Sequence, residues 1–123
     1  MTVEIKNKIL AIADTAIDDT GVIYPRDIFL SLCEDKEKEY TGSFTNVDCS
    51  NDPHKVAIVS KNLKMDGNIL LCDFTILDTH YGILLQNYIK SNQFKLALSG
   101  EGMVSLAYMV SDYTLKNINV ELT

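Results

Sequence analysis

Asp66-Gly67 stands between two runs of strand-forming residues, Val56 to Met65 and Asn68 to Leu77. A two-residue hairpin loop needs positive φ to match the twist of its strands, and an Asp-Gly pair supplies both positive values of a type I′ turn at little cost. An antiparallel hairpin in the middle of the chain follows. Such a ribbon cannot bury its apolar face alone, so the flanking segments must pack on it or extend it.

Downstream, Thr79 can cap a helix by accepting an orphan backbone N–H, with Ile83, Leu84, Tyr88 and Ile89 along one face before Ser91-Asn92 ends it. Phe94 to Ser99, Met103 to Val110 and Tyr113 to Leu122 read as three more strands, with Gly100-Glu101-Gly102 as a turn between the first two. Upstream, Pro25 opens a helix to about Lys38 whose apolar face is Ile28, Phe29 and Leu32. The alternating charges from Glu34 to Glu39 read as its solvated end.

Asp18-Asp19-Thr20-Gly21 is turn chemistry, and the polar stretch from Tyr40 to Pro53 is a short strand or loop. Residues 3 to 16 are ambiguous. Ile5, Ile9, Ile12 and Ala16 recur at helical spacing, whereas Val3 and Ile5 alternate and residues 9 to 13 form an apolar run suited to a buried strand; periodicity alone favours a helix. The whole is one α+β domain over residues 1–123, mostly antiparallel, with two helices.

Charge and composition narrow the function. Seventeen acidic against eleven basic residues give a net charge of -6, which disfavours phosphate-dominated nucleic-acid binding. No apolar run nears the roughly 18 residues of a membrane span, and no basic and apolar leader opens the chain, so no membrane role is expected. Cys33, Cys49 and Cys72 form no C-x-x-C pair, and reduced, cytosolic thiols are the default. Asp18-Asp19, Asp48 and Asp52 lack calcium-loop spacing and read as turn formers, while Asp73 and Asp78 read as surface or capping residues. No metal or cofactor is implied.

Ser99 is the candidate nucleophile. It ends an apolar strand before small residues that let the backbone turn and aim N–H groups at an oxyanion. By local sequence alone, a serine before a glycine turn is more simply a turn. A serine also needs a base, and only His54 and His80 are available. His54 follows Asp52-Pro53 in the loop before the hairpin and reads as solvated; His80 opens the second helix.

Five segments, in order, resemble the tailed-phage prohead protease family, the capsid-maturation serine proteases that share a fold with the herpesvirus assembly protease. Thr20-Gly21-Val22-Ile23-Tyr24-Pro25 resembles its N-G-R-x-Y-P segment, and Lys64-Met65-Asp66-Gly67-Asn68 its turn before the second central strand. Ile76-Leu77-Asp78-Thr79-His80-Tyr81-Gly82 is similar to its I-L-x-T-P-x-G, with His80 in place of proline. Lys95-Leu96-Ala97-Leu98-Ser99-Gly100-Glu101-Gly102 is similar to L-G-V-S-S-R-G, and Val110-Ser111-Asp112-Tyr113-Thr114-Leu115 to V-x-D-F-x-L. The resemblance implies a small barrel-like antiparallel fold and a strand, not a helix, over residues 3 to 16.

The departures bear on chemistry. Gly42-Ser43-Phe44-Thr45-Asn46 falls on the family's G-E-L-x-H and Val56-Ala57-Ile58 on its V-S-H, so Asn46 and Ile58 occupy histidine positions. The double serine becomes Ser99-Gly100, and Glu101 replaces the adjacent arginine, putting a negative charge where an oxyanion needs a positive one. A triad-type serine without its base retains only residual activity. The resemblance thus implies an inactive prohead-protease-like structural or assembly protein of a tailed phage. It would bind capsid, neck or tail components in many symmetric copies and reside in the virion after assembly in the host cytoplasm. The alternative is an active, divergent protease that cleaves scaffold and capsid proteins with Ser99 and His54 or His80.

Overall fold

The computed structural model describes residues 2–15, 21–49 and 51–122. Asp18, Asp19 and Thr20 of the expected turn, and Ala16 of the ambiguous segment, lie outside the described residues. The elements are β1 (Val3–Ile12), α1 (Arg26–Leu32), β2 (Tyr40–Gly42), a 3-10 turn (Pro53–Lys55), β3 (Ile58–Asp66), β4 (Ile69–Ile76), α2 (His80–Ile89), β5 (Phe94–Val104) and β6 (Val110–Leu122). They form the mostly antiparallel α+β architecture with two helices that the sequence implies.

The central hairpin is β3–β4, but Asp66 pairs with Ile69, so its loop is Gly67-Asn68 rather than Asp66-Gly67. Gly67 has φ +60 and Asn68 does not have positive φ, the pattern of a type II′ turn rather than the expected type I′. β1 joins the far side of β4 and β2 the far side of β3, giving the antiparallel order β1-β4-β3-β2. The β5–β6 ribbon packs across this sheet around a core of Phe29, Ile58, Leu70, Phe74, Ile76, Leu85, Ile118 and Val120.

β1 is a strand, against the period of its isoleucines. Its pairing with β4 shifts register between Ile5 and Lys8 and again between Ile9 and Ala11, with Asn7 at φ 57. Each extra residue offsets the two-residue alternation, so apolar positions fall at intervals that imitate a helix. Leu10, Ala11 and Ala13 are the buried members, while Ile9 and Ile12 are exposed.

α1 is shorter than expected. Pro25 is its extended N-cap residue, and the helix stops at Leu32 with Cys33 as C-cap. The run from Glu34 to Glu39 is an exposed turn, not a helix end. The Glu37 N–H donates to Asp35 Oδ1 at 3.2 Å, a local side-chain bond that competes with helical continuation. α2 matches its signals: the Gly82 N–H donates to Thr79 Oγ1 at 3.0 Å, and the Thr79 hydroxyl donates to the Val56 carbonyl.

The three strands expected after α2 are two. Gly100-Glu101-Gly102 lies inside β5, and the real turn is Ser105 to Tyr108, closed by Tyr108 N–H to the Ser105 carbonyl at 3.0 Å. A Cβ on Gly100 would overlap the Thr114 carbonyl oxygen, and one on Gly102 that of Asp112. These glycines let β6 cross β5 closely; they do not turn the chain. Asp73, expected at the surface, is buried on β4 and accepts from the Asn7 N–H at 2.9 Å and Asn62 Nδ2 at 3.1 Å.

Candidate functional site

β2 leans on β6 and continues into a loop that forms the site. A Cβ on Gly42 would overlap the Ile118 carbonyl oxygen, so only glycine allows that crossing. Beyond it, the Val120 N–H donates to the Ser43 carbonyl at 2.7 Å and the Thr45 N–H to the Val120 carbonyl at 3.0 Å. The Val47 N–H then donates to the Phe44 carbonyl at 2.9 Å and turns the chain back over the ribbon. The result is a cleft of about 370 Å³ between residues 45–49 and the middle of β5 and β6.

Ser99 and Asn46 both line this cleft, with Cys49, Asp48, Asn117 and Asn119. Ser99 is paired with Asn117 across the ribbon, beside a register shift between Ser99 and Gly100. The two asparagines hold the walls. Asn119 Oδ1 accepts from the Ser43 N–H at 3.1 Å, and Asn117 Nδ2 donates to the Thr41 carbonyl at 2.9 Å. Burial pushes the Cys49 thiol up, which keeps it protonated.

The other candidates are elsewhere. Ile58 is fully buried between Gly42 and Ile76 in the sheet, a core side chain rather than a wall of the cleft. His54 lies on the exposed 3-10 turn, with its backbone N–H donating to Asp52 Oδ1 at 2.9 Å. His80 is the first residue of α2, its ring 5.7 Å from that of Tyr81. α2 packs on the 3-10 turn and β4. Neither histidine is among the cleft's lining residues. Gly100 lines a separate cavity with Tyr113, and Glu101 faces solvent in an ion pair with Lys116 at 2.9 Å.

The cleft therefore offers the hydroxyls of Ser99 and Thr45, three amides, a protonated thiol and one carboxylate. Amides donate and accept hydrogen bonds but take no proton from serine, and an aspartate is a weak base for that step. Asn117 and Asn119 were not legible as site residues. Their trace is the alternation Asn117-Ile118-Asn119-Val120, in which the apolar residues face the core and the amides the cleft.

No family model and no curated protein sequence matches this chain. Among solved structures, the fold is similar to that of the bacteriophage T4 capsid assembly protease, gp21, with a TM-score of 0.79 at 17% sequence identity, over 99% of this chain and 81% of that one. The two chains share a prohead-protease-like fold.

Proposed function

We propose that this chain is an assembly or structural protein of a tailed bacteriophage that keeps the capsid-protease fold and works by binding instead of hydrolysing peptide bonds. One observation carries the reading: the cleft that holds Ser99 has Asn46 on its wall and no imidazole among its lining residues. The family resemblance puts a histidine at each of positions 46 and 58, and Ile58 is committed to the core. The likeness to a capsid assembly protease supports a place in head assembly. The partners on this reading are virion proteins of the capsid, neck or tail, met in multiple symmetric copies, with no nucleic acid, membrane or cofactor required. The residence is the virion.

A divergent active protease is the competing reading, supported by Ser99 itself, which remains in an open cleft beside the free edge of β5. Substituting Ser99→Ala in the phage genome separates the two. Binding predicts normal particle yield and unchanged capsid-protein processing; a loss of processing, or an uncut precursor that appears only in the variant, would establish the protease.

A further inference from the structure

The cleft that holds Ser99 keeps hydrogen-bonding groups unused, and the backbone beside it decides which ones. The chain from β2 onward runs parallel to β6, with Phe44 bridged to Val120. Where this seam begins, side chains of β6 take the place of a backbone ladder. Asn117 Nδ2 donates to the Thr41 carbonyl at 2.9 Å, and Asn119 Oδ1 accepts from the Ser43 N–H at 3.1 Å. A carbonyl can only accept and an N–H can only donate, so the orientation of each amide is dictated. Asn117 is left with an acceptor, Oδ1, and Asn119 with a donor, Nδ2, and neither atom has a hydrogen-bond partner among the described residues.

Both asparagines line the cleft and both are half-buried. They stand two apart on one face of β6, with Cα atoms roughly 7 Å apart, so an acceptor and a donor are offered one strand repeat apart. An extended polypeptide has the same period, because along one edge its N–H and C=O groups recur every two residues. Ser99, the register partner of Asn117, adds a hydroxyl that makes no hydrogen bond among the described residues. Asp48 is the one charged residue among the described lining residues, so the cleft has no cation to meet a carboxylate or a phosphate. Its volume of about 370 Å³ suits a short stretch of neutral main chain.

We infer that this cleft holds a short extended segment of a partner polypeptide by its main chain, with Asn117 Oδ1 accepting a segment N–H and Asn119 Nδ2 donating to a segment carbonyl. Bonds to the main chain give affinity while asking little of the segment's side chains. The inference rests on the reading that the cleft binds without hydrolysing, and it gives that binding two named residues and a geometry. The same two side chains anchor the wall and face the occupant, so a bound segment is coupled to the β2–β6 seam.

Asn119→Asp is the discriminating variant. Its carboxylate still accepts from the Ser43 N–H, so the wall stays anchored, but the free donor becomes an oxygen that repels a carbonyl. The probes are overlapping short peptides spanning the virion proteins of the encoding phage, labelled and titrated by fluorescence polarisation against the purified wild type, Ser99→Ala and Asn119→Asp. The wild type is expected to bind a subset of them intact, and Asn119→Asp to bind the same peptides at least about tenfold more weakly with an unchanged circular dichroism spectrum. Methylating the main-chain nitrogens of a bound peptide one at a time tests Asn117 on the unaltered protein. Affinity should fall about fivefold at the position whose N–H meets Asn117 Oδ1 and hold at the adjacent positions. A peptide set with no binder, an Asn119→Asp chain that binds like the wild type, or methylation without effect at every position overturns the inference. Peptides cut by the wild type and left whole by Ser99→Ala would overturn the binding reading instead, and the affinities of Ser99→Ala for the methylated series would still decide the role of Asn117.

Discussion

Asp73 pins two irregular strands to the middle of the sheet, and its removal gives the sharpest stability prediction. Its carboxylate accepts from the Asn7 N–H on β1 and from Asn62 Nδ2 on β3. Both asparagines have positive φ, 57 and 56, and sit where the pairing with β4 shifts register. One carboxylate on β4 therefore organises a bulge on each neighbour. A hydrogen bond to a charged group is worth about 1.5–3 kcal/mol, whereas the 3.8 Å pair with the half-exposed Lys64 adds little beyond that. Asp73→Ala should cost about 3–4 kcal/mol, a large part of a typical stability of roughly 5–15 kcal/mol.

Urea or thermal unfolding followed by circular dichroism reads this loss, and pH gives its signature. Burial pushes the Asp73 carboxyl up, but the bonds from Asn7 and Asn62 and the charges of Lys64 and Lys6 outweigh it and hold the group below its ordinary value. A depressed folded value means that the carboxylate's contribution is complete above the unfolded value of about 3.9 and is lost as pH falls through the folded one. The gap between wild type and Asp73→Ala should be full near pH 7 and shrink below about pH 4. A variant within about 0.5 kcal/mol of wild type at neutral pH, or a gap unchanged down to about pH 2, would refute the reasoning.

Gly42→Ala forces a methyl group onto the Ile118 carbonyl of a buried strand, and should cost at least about 3 kcal/mol, read as loss of soluble yield or a lower urea midpoint. Thr79→Ala removes the α2 cap and should cost about 1 kcal/mol by the same assay. Burial pushes the Cys72 thiol up to about 12, whereas Cys49 is only partly buried, so iodoacetamide on the folded chain should alkylate Cys49 well before Cys72, as read by peptide mass spectrometry.

The sequence is most readable where one short segment decides the outcome. The β3–β4 hairpin and the Thr79 cap each depend on a few adjacent residues, and both form, with the loop displaced by one residue to Gly67-Asn68. β1 is unreadable from periodicity because it carries two register shifts, the first of them held by a carboxylate 66 residues away. Gly100 and Gly102 mislead for a related reason. A glycine required by a crossing strand looks the same in sequence as one required by a turn, and only the position of Thr114 and Asp112 distinguishes them. The site was half legible: Ser99 and Asn46 meet in one cleft, but His54 and His80 lie on other elements, and Asn117 and Asn119 carry no signature beyond strand alternation.

The central claim is binding without hydrolysis within a phage particle. Quantitative mass spectrometry of purified particles of the encoding phage, reading this chain's copy number and its termini against the major capsid protein, tests it most directly. The account predicts an uncut chain at a fixed, symmetric ratio to the capsid protein. Trace fragments with new ends that disappear in Ser99→Ala would contradict it.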